Sequence, residues 1–144
     1  MLSFRIFRND SDTLATDFDL GDIEFKFGDE TVSSRGSSRL SNMVYISVSD
    51  LIDGLLRINN GLKKYEFVGA DSSFIVNFER TKKGVYVRYQ RKSYGPFALR
   101  DILIAINSGI EAFVSDDLNQ LPQNTAASIG FNGSWSDLKA ALFR

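Results

Sequence analysis

The sequence predicts an α+β fold in a single domain: a mostly antiparallel β-sheet with helices packed on one face. Alternating apolar and polar residues mark strands near the start of the chain and again between residues 64 and 91. Stretches with apolar residues at helical spacing interrupt those strands and follow them. No regular strand–helix–strand repeat, which a parallel sheet would need, is visible. A chain of 144 residues can bury one core without metals or disulfides. Hydrophobic residues make up 43% of it and twelve are phenylalanine, which argues against disorder.

Taken in order, Leu2, Phe4 and Ile6 alternate with Ser3, Arg5 and Phe7 and read as a first strand. Residues 9–21 are rich in Asp, Asn, Ser, Thr and Gly and read as a loop. In the next strand Ile23, Phe25 and Phe27 point one way, toward a core, while Asp22, Glu24 and Lys26 point the other, toward water. A flexible serine-rich loop is expected at about residues 30–42. Within it Ser33-Ser34-Arg35-Gly36-Ser37-Ser38 offers nothing to bury, and it reads either as a plain connector or as a loop that orders on contact with a partner.

From Met43 the pattern sharpens. Met43–Val48 is rich in β-formers, and Ser49 can cap a short helix whose apolar face is Leu51, Ile52, Leu55, Leu56 and Ile58. Asn59-Asn60-Gly61 supplies its stop. Three antiparallel strands are expected next, at Lys64–Val68, Ser73–Arg80 and Val85–Arg91. The last two join through Thr81-Lys82-Lys83-Gly84. Gly69 permits positive φ in the corner before Phe74, and Asp71 or Ser72 can bond the nearby backbone there.

Pro96 can open a helix, because a first-turn proline loses no helical hydrogen bond. Leu99, Ile102, Leu103, Ile106, Ile110 and Phe113 then follow helical spacing, with Gly109 costing about 1 kcal/mol relative to alanine. Residues 115–133 read as a loop. Ser134 or Ser136 can cap a last short helix carrying Trp135, Leu138, Ala141 and Leu142.

The chain has no histidine and no cysteine. That excludes a Ser–His–Asp triad, a cysteine nucleophile and sites built on thiolate or imidazole ligands. Residues 1–8 (MLSFRIFR) lead into no long apolar stretch, and no window approaches a membrane span, so the expectation is a soluble, cytoplasmic protein. No phosphate-cradling glycine motif occurs. Asp116-Asp117 could form a carboxylate pair for hydrolysis, but they follow a helix in a polar loop, where solvation is the simpler reading. Asp17, Asp19, Asp22 and Glu24 could bind a hard cation, yet they lack EF-hand spacing. No catalytic residue, metal or cofactor is therefore assigned.

Charge is distributed unevenly. Residues 9–30 hold eight acids against one base, Lys26, in a chain whose formal net charge is −1. Residues 79–100 hold Arg80, Lys82, Lys83, Arg88, Arg91, Lys92 and Arg100 against Glu79, with Tyr86, Tyr89 and Tyr94 among them. The hairpin 80–92 could thus bind single-stranded nucleic acid by stacking bases on tyrosines. A pI of about 5.4, and the alternation of side chains between the two sheet faces, weigh against it. The acidic window reads as a solvated surface or as a docking face for a basic protein, since opposed charge speeds encounter and rejects wrong partners.

The order of elements in the middle of the chain is MVYISVSDLIDGLL, YEFVGADSSFIVNFER, GVYVRYQR and FALRDILIAINSGIEAFVSD. It resembles small bacterial immunity proteins that neutralise polymorphic toxins, including those of contact-dependent growth inhibition systems. The likeness is one of style over about half the chain. It implies a cytoplasmic, non-enzymatic protein that binds the C-terminal domain of one cognate toxin. On that reading Asp17, Asp19, Asp22, Glu24, Asp29 and Glu30 would face a basic toxin such as a nuclease, which must itself hold phosphate. Asp71 would be a rim contact, and Tyr45 or Tyr86 an exposed aromatic anchor.

Overall fold

The computed structural model describes residues 2–143. It has the expected α+β architecture, with its strands divided between two antiparallel sheets of four strands each and three long helices around them. In the first sheet β1 (Leu2–Arg8) pairs along its whole length with β2 (Leu20–Phe27). The other side of β2 is shared by β3 (Glu30–Ser33) and the short β4 (Asn42–Met43). The second sheet runs β5 (Lys64–Val68), β6 (Ile75–Thr81), β7 (Gly84–Tyr89) and β8 (Lys92–Phe97) in sequence order. Helices α1 (Val44–Asn59), α2 (Leu99–Val114) and α3 (Ala126–Leu142) complete the fold. None of these helices is long and apolar enough to cross a membrane.

One core joins the layers. Ile23 and Phe25 of β2, Phe67, Val76 and Phe78 of the second sheet, and Leu51, Ile52 and Ile106 of the helices are all buried in it. Phe25 meets Phe4 at 4.8 Å between ring centroids and Phe78 edge-on at 6.1 Å, so aromatic pairs tie the two sheets together. Helix α2 lies against β1, and there Gly109 has a packing purpose. A Cβ at that position would lie 2.3 Å from the Phe4 carbonyl oxygen, so only glycine allows so close an approach of helix and strand.

Several elements differ from the sequence expectation, each for a physical reason. Helix α1 begins at Val44 rather than near Ser49. The β-branched content of 43–48 suggested strand, but Val44, Val48, Leu51, Leu55 and Ile58 recur at helical spacing and are all buried. Packing therefore overrides propensity. Its first amide is met by the Asp19 carbonyl instead of a capping side chain.

Pro96 does not open α2. It follows a cis peptide bond within β8, a strand the sequence reading missed, and α2 starts at Leu99. Helix α3 begins well before Ser134, with the Thr125 hydroxyl accepting from the Ser128 amide. Gly130, Asn132 and Gly133 suggested a loop, yet Phe131, Ser134, Leu138 and Leu142 form a buried stripe facing α1.

Within the segment read as a serine-rich loop, residues through Ser33 are strand. Ser34 is buried, donating to Asp22 Oδ1 at 2.7 Å and accepting from the Ile23 amide. In the corner 69–74, Asp71 rather than Gly69 takes the positive φ, at 56°. Ser72 bonds the Phe74 amide there, as expected.

Candidate functional site

The residues singled out from sequence do not share one surface. Asp22 and Glu24 lie on the outer face of the first sheet, but that face does not simply meet water. Glu24 is buried, opposite Arg5 on β1 and Ser33 on β3. The Arg5 and Arg35 guanidiniums sit over the Phe7 ring at 4.8 and 4.2 Å, on the strand position opposite Asp22. Acids and bases are interleaved there, so the face carries little net field.

Asp29, in the β2–β3 turn, and Glu30, the first residue of β3, lie at the far end of β2 from Asp19. Eight strand residues at about 3.3 Å each separate them, roughly 25 Å. Glu30 is paired with Lys92 at 3.6 Å. Asp71 belongs to the other end of β2, because Met43 pairs with Leu20 while its amide bonds the Ala70 carbonyl. Among the described residues, no three acids gather where they could hold a metal ion.

The basic stretch is dispersed in the same way. Arg80 donates to the Ile58 carbonyl at 2.7 Å, Arg88 pairs with Glu79, and Arg100 donates to the Leu142 carbonyl. Lys82-Lys83 and Arg91 sit in the turns at opposite ends of β7. Tyr86 is half-buried beside Arg88. Tyr45 is buried rather than an exposed anchor, its hydroxyl donating to the Asn119 carbonyl. Burial raises its pKa well above the usual tyrosine range, so it stays neutral there.

What the fold does gather is a different set of acids. Arg8, its side chain 1% exposed, stands at the end of β1 and organises the loop 9–19 around itself. It donates to Asp19 Oδ2 at 3.0 Å, to the Thr13 carbonyl at 2.9 Å, and to the Leu118 carbonyl and Asn119 Oδ1 at 3.0 Å each. The Ala15 amide bonds the same Leu118 carbonyl. The loop carrying Asp10, Asp12, Asp17 and Asp19 is thereby held against the 3-10 turn Asp117–Asn119 and its neighbour Asp116.

Burial works to raise the Asp19 carboxyl. Hydrogen bonds from the Thr16 hydroxyl and amide, with the Arg8 charge, outweigh it and hold the group below the ordinary aspartate range. Asp19 is thus a structural partner of Arg8 as well as part of the field. The sequence reading missed Arg8 because a single arginine closing an alternating strand carries no distinguishing pattern.

Beside that loop runs a groove of about 260 Å³. Asp17 and Phe18 form one wall, Ile46 and Asp50 of α1 another, and Ala127 and Gly130 of α3 the third. Tyr45 and Phe131 meet edge-on at 5.6 Å in its lining. The two helices are stitched by Ser49, whose hydroxyl lies 2.7 Å from that of Ser134, which in turn donates to Asp53 Oδ1 at 2.8 Å. Burial and the nearby Asp53 raise the Asp50 carboxyl above its ordinary value, with Arg57 offsetting part of the rise.

Among the described residues, no lysine or arginine lines this groove. Phe18 is 67% exposed and Ile129, next to Gly130, is 64% exposed. An apolar hollow with an acidic rim is suited to hold a cationic, partly apolar surface. No protein-family model, no curated protein and no solved structure matches the chain.

Proposed function

We propose that this chain is an immunity-type inhibitor. It binds the C-terminal domain of a cognate bacterial toxin, a basic nuclease, by charge-complementary docking, and blocks the active site or a neighbouring exosite. The protein acts through binding and needs no cofactor. Its place of action would be the cytoplasm, where such a toxin meets its substrate.

The observation that carries the reading is the gathering of acids at one end of the fold. Asp10, Asp12 and Asp17, the 116–117 pair and Asp50 belong to segments brought together around a single buried arginine, while the cations of residues 79–100 are tied up or scattered elsewhere. A toxin that grips phosphate presents positive charge, and a concentrated acidic surface accelerates encounter with it. The style-level likeness of residues 43–114 to immunity proteins points the same way.

The test begins at the gene immediately upstream: where it encodes a large secreted protein with a variable C-terminal domain, that domain is co-expressed with this chain. The expected outcome is relief of that domain's toxicity and a complex recovered at low salt that weakens as salt rises. Recovery of no basic toxin domain at low salt defeats the reading.

A further inference from the structure

We infer that the groove between Phe18 and α3 seats an apolar side chain from a basic segment of a partner protein, with the flanking lysine or arginine placed on Asp17 and Asp50. This rests on the inhibitor reading above and narrows it to one anchoring site.

Three features meet in the groove, and each points to an inserted protein segment. The first is its size and lining. At about 260 Å³ it lies below the roughly 300–1,000 Å³ of small-molecule sites, so it suits a side chain better than a free ligand. Exposed apolar residues scattered singly are ordinary, but here Phe18 lines an apolar hollow shared with Ile46, Ala127 and Phe131. The second is the rim, whose charged members among the described residues are the acids Asp17 and Asp50. Asp50 carries an unfavourable self-environment in the free protein, and a partner cation beside it would remove that cost.

The third feature is the glycines of α3. Gly130 and Gly133 lie inside a helix, where glycine weakens helix formation relative to alanine. Packing inside the molecule does not require either of them. A Cβ at 130 would meet only the Ser49 hydroxyl, at 4.0 Å, and one at 133 would meet nothing within 4 Å. Gly109 is the contrast, since it is forced by Phe4. A helix face stripped of side chains beside an apolar hollow lets a partner backbone come close, which delivers a side chain into the groove.

The site is probed without knowing the toxin. The isotopically labelled full chain is titrated with a synthetic amphipathic leucine–lysine peptide and with its leucine–glutamate counterpart, read by amide NMR. The expected result is that Asp17, Phe18, Ile46, Asp50, Ala127 and Gly130 shift with the lysine peptide, that salt weakens the titration, and that the glutamate peptide produces no shifts. Phe18→Ser, and separately Asp17→Asn with Asp50→Asn, should each weaken binding about tenfold, the scale of losing one anchoring contact. Glu66→Gln on exposed β5 should leave it unchanged. Shifts centred on β5–β8, or binding indifferent to Phe18→Ser, would overturn the groove. A toxin complex that forms equally well with Phe18→Ser overturns the groove but leaves the inhibitor reading standing. A groove that binds the peptide while no toxin is ever recovered sinks the inhibitor reading alone.

Discussion

The two ends of this molecule use charge in opposite ways. On the outer face of the second sheet, acids and bases alternate and answer one another: Glu79 meets Arg88 across the β6–β7 pair and Lys64 across the β5–β6 pair. At the end formed by the loop 9–19, the 117–119 turn and the first halves of α1 and α3, Asp17 and Asp50 flank apolar side chains, and the cation organising the loop is buried. The first arrangement is locally neutral and its pairs are wet. The second leaves an outward field on an internally braced frame. Charge counted along the chain would have ranked the windows 9–30 and 79–100 as nearly equal and opposite. The fold makes one a self-satisfied surface and the other a surface suited to a partner.

The strongest way to break the contrast is to remove the brace. Arg8→Met deletes the donor to Asp19, Thr13, Leu118 and Asn119 at once and leaves Asp19 without its counter-charge. Losing one member of a fully buried charged pair costs roughly 3–5 kcal/mol; Asp19 is partly exposed and keeps its Thr16 bonds, so about 2–4 kcal/mol is expected here. Urea denaturation should show a loss in that range, and hydrogen exchange should show the loop 9–19 opening first. A loss under about 1 kcal/mol, the value of an exposed pair, would mean that the acidic end is no better held than the sheet face.

Two glycines sharpen the same contrast with opposite signs. Gly109→Ala drives a Cβ to 2.3 Å from the Phe4 carbonyl oxygen, a backbone atom that cannot step aside cheaply. Overpacking of about 1–3 kcal/mol should exceed the helix-propensity gain of about 1 kcal/mol, so the protein loses stability. Gly130→Ala has open space around it and should gain up to about 1 kcal/mol. Thermal unfolding of the two variants checks both signs. A Gly130→Ala protein less stable than the parent would show that the fold needs that glycine after all.

How far the sequence disclosed these features follows from how local their signals are. Period-two alternation revealed β1, β2, β6 and β7, and helical spacing revealed α2, because each signal lies within a single element. The start of α1, all of β8 and the first half of α3 depended on tertiary packing. Val44 and Val48 look like strand residues until α1 has a core to face. Gly130 and Gly133 look like breakers until Phe131 and Ser134 are seen against α1. The site was half legible. Asp17 was visible as part of the acidic window, whereas the place of Asp50 depends on α3 meeting α1 about 80 residues away, and those of Asp116 and Arg8 on a contact over a hundred residues long, Arg8 with Leu118. Nothing in the linear pattern announces such a contact.

A smaller effect lies in the acid limb of stability. Asp19 is held below its ordinary pKa in the folded state, so folding favours its ionised form. Its contribution is present above the unfolded value of about 3.9 and is lost as pH falls through the lower folded value. Stability measured from pH 6 down to pH 3 should therefore fall more steeply for the parent than for Asp19→Asn, with the two curves parallel above about pH 5. Parallel curves throughout would mean that the Asp19 contacts with Thr16 and Arg8 are together as weak as the pairs of the sheet.

The least effect is expected from the sheet itself. Glu79 accepts from Arg88 and faces Lys64, and these hydrogen bonds and charges hold its carboxyl below the ordinary range, yet both partner side chains extend into solvent. Water screens such pairs, and ordering two long side chains offsets much of what the attraction supplies. Glu79→Gln should leave the unfolding midpoint within error of the parent at physiological salt. Its most useful readout is the comparison with Arg8→Met in the same buffer. If Glu79→Gln proved as damaging, the outer face of the second sheet would have to be a braced structure too. The acidic end would then lose the distinction, an organised field around an apolar groove, on which its proposed role as a docking surface depends.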